Sequence, residues 1–269
     1  MKDMGLKKMN NLKMSMVCPI HNEGQYLPYF LASLRYIEGE IDEKIFVLDN
    51  CTDNSKTLIK HYFPGAKIYE IYNHLWRFYA AESFQHGFEQ ASGDVILAVG
   101  ADLVLDSDII SILQKQFVNK KVGMVCFRFL NYDLFSTLLR LHGEYNNLYM
   151  TMLQHIRNET RYTGVYAFRK QMMVEIGGLA DIISEYDEYC RRVKQEGWNI
   201  VYITYTRILH LRSGLSAKKQ FMQGVARYYL PSYNLKKTLS HSFIHLSPQL
   251  IVGYIHAKRY GLEMVGTLR

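Results

Sequence analysis

Along the first half of the chain, short apolar runs alternate with longer stretches whose apolar positions recur every three or four residues. Residues 15–20, 44–48, 66–71, 94–99 and 122–129 are of the first kind. They are nearly continuous in apolar side chains, as strands buried on both faces are. Residues 23–36, 54–62, 76–91 and 107–117 carry the helical period instead. This alternation predicts an α/β fold, a Rossmann-like, mostly parallel sheet flanked by helices. In open sheets of that kind ligands bind beyond the carboxyl ends of the strands.

The second half is patterned differently. Leu134, Leu138, Leu141, Tyr145, Leu148 and Met152 recur at spacings of four and three across 132–161. The stripe reads first as the core face of a helix, and second as a surface for an acceptor, a lipid or a second subunit of a homodimer. Residues 164–169 and 198–203 read as further strands, 170–176 and 185–196 as helices, and everything from Lys218 onward as helices rich in Tyr, Lys and Arg. The expected organisation is an α/β domain over 1–230, its first 13 residues a flexible leader. A helical C-terminal extension over 231–269 would pack on or beside it.

Composition narrows the partners. The 269 residues are 48% hydrophobic and 21% charged, ordinary values for one globular domain. A net charge of +7 favours anionic partners such as nucleotide phosphates or an anionic membrane surface. Nucleic acid is disfavoured, because the basic residues are dispersed and no binding motif accompanies them. Cys18, Cys51, Cys126 and Cys190 are too far apart in sequence for a zinc knuckle or a redox pair, which points to a reducing, cytoplasmic setting. The basic N-terminus lacks the apolar region of a signal peptide. The longest apolar stretches fall short of a membrane span, which leaves peripheral contact with a membrane as the alternative to a wholly soluble protein.

The candidate chemistry sits after the strands. In CPIHNE, Pro19 stops the ladder, Asn22 is placed to cap the next helix and Glu23 to sit in its first turn. The same turn can instead hold a base or ribose. FVLDNCTDNS places Asp49, Asn50, Asp53 and Asn54 within six positions, which turn chemistry alone favours but base and ribose recognition also requires. ILAVGAD delivers Ala101 and the carboxylate of Asp102 to a sheet edge. ISEYDEYCRRVKQEG opens an amphipathic helix with Glu185, Asp187 and Glu188 and closes it at Gly197. His210 follows an apolar run; a lone histidine there is more often structural than a ligand.

Taken in order, these stretches resemble the family 2 glycosyltransferases of the GT-A fold, over about residues 14 to 230. Pro19, Asn22 and Glu23 match that family's Pro-x-x-Asn-Glu turn. Asp49 and Asn50 match its Asp-Asp/Asn turn, and Asp102 the second acid of its Asp-Ala-Asp motif. GVYAFRKQMMVEIGGL and the acidic helix match its later segments. The resemblance implies a metal-assisted, inverting transfer of a sugar from a nucleotide-diphosphate sugar to a hydroxyl of a glycan, polysaccharide or lipid-linked acceptor.

The resemblance also implies individual roles. Pro19, Asn22, Glu23, Asp49, Asn50, Ala101 and Asp102 would bind the donor. Asp102 and the late histidine, His210, would hold Mg²⁺ or Mn²⁺, with Arg212 facing a phosphate. Two positions depart from the pattern. Gly100 stands where the first acid of the metal motif belongs, and Tyr186 where the catalytic base belongs, which leaves Asp187 and then Glu185 as candidate bases.

Overall fold

The computed structural model describes residues 12–76, 79–133, 137–157, 165–180, 185–212, 217–229, 234–244 and 246–260. In chain order the elements are β1 (Met14–Ile20), α1 (Leu27–Ile37), β2 (Glu43–Asp49), α2 (Ser55–Tyr62), β3 (Lys67–Ile71), α3 (Tyr79–Gln90), β4 (Val95–Ala98), β5 (Leu103–Val104) and α4 (Ile109–Gln116). There follow β6 (Val122–Asn131), α5 (Thr137–Arg157), β7 (Val165–Arg169), α6 (Lys170–Glu175), α7 (Glu185–Gln195), β8 (Asn199–His210), α8 (Ala217–Tyr229), α9 (Leu235–Ile244) and α10 (Gln249–Tyr260). The strands form one sheet in the order β3-β2-β1-β4-β7-β6-β8-β5. β3, β2, β1 and β4 run parallel, β7 runs antiparallel to β4 and β6, and β8 is parallel to β6.

The continuous apolar runs are strands because both sheet faces are covered. Met14, Met16, Cys18 and Ile20 of β1 point into one layer with Leu27, Phe30 and Leu34 of α1, Ile59 of α2 and Leu113 of α4. Val17 points the other way, into a layer with Ile45 and Val47 of β2, Phe88 of α3, Met172 of α6 and Val193 of α7. Successive strand residues alternate between faces, so one run feeds two cores. Gly87 lets α3 lie directly on the sheet: a Cβ there would strike the Val17 side chain.

The stripe on α5 does not face a core, as its spacing first suggests. Leu141, Tyr145, Leu148 and Met152 are 44% to 63% exposed. The inward face carries Gly143, Asn147 and Thr151 instead, against the end of β6. Asn147 clamps that edge, accepting from Asn131 N–H at 3.0 Å and donating to Asn131 O at 3.0 Å. The side chains of Leu134 and Leu138 lie outside the described residues. After β8, helices α8, α9 and α10 pack on one another, α8 most closely on α10.

Candidate functional site

Three turns at the carboxyl ends of adjacent parallel strands form the site. The first follows β1. Pro19 ends only part of the ladder: β1 continues to Ile20 beside β2, whereas its pairing with β4 stops at Val17. Nor is Asn22 a helix cap, because α1 starts five residues later, at Leu27, with proline in its first turn. Asn22 adopts a left-handed backbone (φ 54°), and its Oδ1 accepts from Thr52 N–H at 2.7 Å and Asp53 N–H at 3.3 Å. Asp53 answers by accepting from Gly24 N–H at 2.7 Å. These reciprocal bonds lock the first turn to the second.

The second turn follows β2. Asp49 is buried and its carboxylate is fully engaged. Oδ1 accepts from His74 Nε2 at 2.7 Å and Asn50 Nδ2 at 3.1 Å, and Oδ2 from Ser83 Oγ at 3.2 Å. His74 Nδ1 lies 2.9 Å from Glu82 Oε2, which is itself held by an N–H from Trp76 at 3.1 Å. Both imidazole nitrogens face carboxylates, which only accept, so the doubly protonated ring is favoured, although the Asn50 amide nitrogen also lies 3.2 Å from Nε2. Burial opposes that charge, but the bonds to Glu82 and Asp49 outweigh it and raise the His74 pKa. Tyr79 stacks on the imidazole, ring centroids 4.0 Å apart.

This chain of bonds orients Asn50, which also has a left-handed backbone (φ 46°). Its amide nitrogen must face Asp49, so its carbonyl Oδ1 faces outward, with no partner among the described residues. The sequence leaves open whether this amide presents a donor or an acceptor; the packing selects the acceptor.

The third turn follows β4. Ala101 is buried in the core. Asp102 Oδ2 lies 3.2 Å from His210 Nε2. The sheet register makes this meeting, since His210 pairs with Leu103 on one side and with Asn131 on the other. His210 Nδ1 sits 3.1 Å from Asn131 Oδ1, an acceptor, which turns the other ring nitrogen toward Asp102 as a lone pair. A proton on Nε2 or a metal ion can join that nitrogen to the carboxylate.

Their separation suits a metal. Two neighbouring ligands of an octahedral ion bonded at about 2.1 Å lie about 3 Å apart. Asp102 and His210 therefore fit two positions on one Mg²⁺ or Mn²⁺. No group of three or more His, Cys, Asp or Glu ligands occurs among the described residues, so an ion held here would draw only these two protein ligands from that set. A Cβ on Gly100 would lie 2.9 Å from Asp102 Oδ1, so the glycine leaves that corner to Asp102.

Arg212 completes this end of the site. Its guanidinium bonds Glu23, lies with Nε 3.7 Å from Asp102 Oδ2, and covers the ring of Tyr26 at 4.8 Å. Burial raises the Glu23 pKa to about 6 against the pull of Arg212. Burial also works against the charge on Asp102, but His210 and Arg212 hold its pKa below the ordinary value.

The acidic helix begins at Glu185, as its sequence suggests, and Gly197 ends it with φ 77°. Arg192 pins it to the preceding Gly-Gly turn by donating to Ile176 O at 2.6 Å and Gly178 O at 2.9 Å. The side chains of Glu185 and Asp187 lie outside the described residues. Three contributors escape the sequence reading: His74, Glu82 and Asn131. His74 lies three residues beyond β3, where the rule about strand ends also applies. Asn131 closes a strand that runs two residues longer than its apolar run.

Comparison with known proteins identifies the fold and the family. A TM-score of 0.58 relates the chain to glucosyl-3-phosphoglycerate synthase from Mycobacterium tuberculosis in complex with Mn²⁺, UDP and phosphoglyceric acid, at 15% identity over 80% of this chain and 77% of that one. The same enzyme with Mg²⁺ and UDP gives 0.59 at 15% identity, over 79% and 75%. A further mycobacterial protein gives 0.61 at 15% identity, over 81% and 73%. At such identities the likeness shows the fold, a GT-A Rossmann-like sheet. A search of curated protein sequences gives no match. The family model of glycosyl transferase family 2 matches residues 15–176, more than half of the length and including the Asp49, Asn50 and Asp102 turns, and the chain belongs to that family.

Proposed function

We propose that this glycosyltransferase is inverting and moves a sugar from a uridine or thymidine diphosphate sugar to an acceptor hydroxyl. The observation that carries this reading is the outward carbonyl of Asn50 two strands away from the Asp102–His210 pair. Strands β2 and β4 flank β1, which separates the two turns by about 10 Å. That is the scale of a nucleoside diphosphate laid across the strand ends.

An acceptor atom at the base position favours a ring N–H, which uracil and thymine present and cytosine does not. The structural neighbours crystallised with UDP support this choice. Pro19, Asn22 and Glu23 shape the turn between base and diphosphate. Asp102 and His210 would hold the divalent ion, which would supply positive charge to the leaving diphosphate when bound. Arg212 adds a second cation beside the same phosphates.

The acceptor oxygen attacks the anomeric carbon as the bond to the diphosphate oxygen breaks. The nucleoside diphosphate departs, and the hydroxyl proton passes to Asp187, or to Glu185 as the alternative. Helix α5 is joined to the His210 end of the site through Asn147 and Asn131, and the apolar face it exposes suits an acceptor with an apolar part, such as a lipid-linked one. Four cysteines, none of them in a disulfide, support a cytoplasmic setting.

Gly100 and Tyr186 favour one rival, a family member that binds the donor without turning it over. Release of UDP from UDP-sugars, with Mn²⁺ and a panel of hydroxyl acceptors, separates the two. Release that Asp102→Ala removes supports transfer. Donor binding with no release under any acceptor supports the rival.

A further inference from the structure

Between Glu196 and Glu263 the chain has nine Lys and Arg and no Asp or Glu. Seven of these cations fall within residues 217–260, the span of α8 to α10. The other 25 Lys and Arg balance the 25 Asp and Glu, so the whole net charge of +7 resides in these three helices.

Their packing fixes what they show to the outside. Gly224 and Gly253 bring α8 and α10 backbone to backbone. A Cβ on Gly224 would strike Leu250 O, and one on Gly253 would strike Phe221 O. Val225, Leu250, Tyr254 and Ala257 are buried, as are Thr238 and Ser242 of α9. The outward face of α9 is apolar: Leu235, Leu239 and Phe243 recur every fourth residue, and Phe243 is 83% exposed. Leu246 follows, and Val252 and Ile255 are exposed on α10. Lys236, Lys258 and Arg259 are exposed on the same two helices.

Large apolar side chains in water, beside cations and with no acid among them, select the partner. A second copy would bring one cationic face against another, since α9 and α10 carry Lys236, Lys237, Lys258 and Arg259 and no acid. A nucleic acid would engage the cations but leave the Leu and Phe face unused. An anionic bilayer satisfies both, since the apolar side chains enter the acyl boundary while the cations meet lipid phosphates. No described helix is long and apolar enough to cross a membrane, so the contact is interfacial. We infer that α9 and α10 form a docking face for an anionic phospholipid surface. The inference does not depend on the donor chemistry proposed above, although it would bring the site to an acceptor held in the membrane.

The test is flotation of the full chain with vesicles of phosphatidylcholine alone and of phosphatidylcholine with phosphatidylglycerol. The protein is expected to float with the anionic vesicles and to be released by salt in part, the apolar side chains holding the remainder. Each neutralised cation should weaken binding about five-fold, so Lys236→Gln, Lys258→Gln and Arg259→Gln together should cost about a hundred-fold. Leu239→Ser with Phe243→Ser should abolish the salt-resistant part. Tyr36→Ser removes an equally exposed aromatic from α1 and should change nothing. An unchanged urea midpoint in every variant reports that the protein is folded and keeps this test separate from that of the donor site. Failure to float with anionic vesicles overturns the inference, as does equal binding to both vesicle types. Tighter binding to a single-stranded oligonucleotide than to anionic vesicles overturns it in favour of nucleic acid. A dimer broken by Phe243→Ser, without flotation, overturns it in favour of a second copy.

Discussion

His74→Leu should destabilise the protein and loosen base recognition together. The imidazole lies between two carboxylates, 2.7 Å from Asp49 and 2.9 Å from Glu82, and its side chain is only 8% exposed. Removing one member of a buried ion network costs about 3–5 kcal/mol. Asp49 keeps Asn50 and Ser83, and Glu82 keeps two backbone N–H groups, so the low end applies, about 3 kcal/mol. For a chain of this size that lowers Tm by about 6–12 °C. Urea denaturation at neutral pH gives the free energy directly. The sign with pH follows from the raised histidine pKa. The stabilisation is complete below the ordinary imidazole value of 6.5 and is lost as pH rises through the raised one. The gap between wild type and His74→Leu should therefore narrow toward alkaline pH. UDP affinity should fall as well, because the imidazole that fixes the Asp49 carboxylate, and through it the position of the Asn50 amide, is gone. A loss under about 1 kcal/mol, or a gap that widens with pH, would refute the doubly protonated bridge.

Three other outcomes are expected. Glu43 bonds Lys67 at 2.5 Å and Ser92 N–H at 2.8 Å, and although burial opposes its charge these partners bring its pKa down to about 2. Its ionised form should contribute about 3 kcal/mol at neutral pH, lost as pH falls from 4.5 toward 2; Glu43→Gln should remove that acid sensitivity in urea titrations. Asn131→Ala should weaken Mn²⁺-dependent UDP binding about ten- to a hundred-fold and leave metal-free binding unchanged, as read by calorimetry. Gly87→Ala forces α3 off Val17 and should cost about 1–3 kcal/mol, visible as a lower urea midpoint.

Much of the fold was legible because a parallel sheet covered on both faces writes its strands as continuous apolar runs. β1, β2, β4 and the start of β6 were readable for that reason. β8 was read only to residue 203. It continues to His210 through an irregularity in which Ile203 and Ile208 face Phe127 and Phe129, and the polar residues between them hide the strand. The α5 stripe gave the right period and the wrong side, since periodicity reports that a helix has two faces and not which one is buried. Asn22 misled for a related reason: asparagine suits both a helix cap and a left-handed turn. Asp49, Asn50 and Asp102 stood out because strand ends and turn chemistry mark them, and His210 only through the family resemblance. His74, Glu82 and Asn131 were not, because their partners are 8 to 79 residues away in sequence and only the register brings them together.

The donor site itself is tested most directly by calorimetric titration with UDP, dTDP, CDP and GDP, each with Mn²⁺ and then with EDTA. UDP or dTDP should bind more tightly than CDP. Mn²⁺ should strengthen that binding, and Asp102→Ala should abolish the metal effect. A folded protein that binds no diphosphate, or binds one equally well with EDTA and with alanine in place of Asp102, would contradict a metal-assisted nucleotide-sugar site at these strand ends.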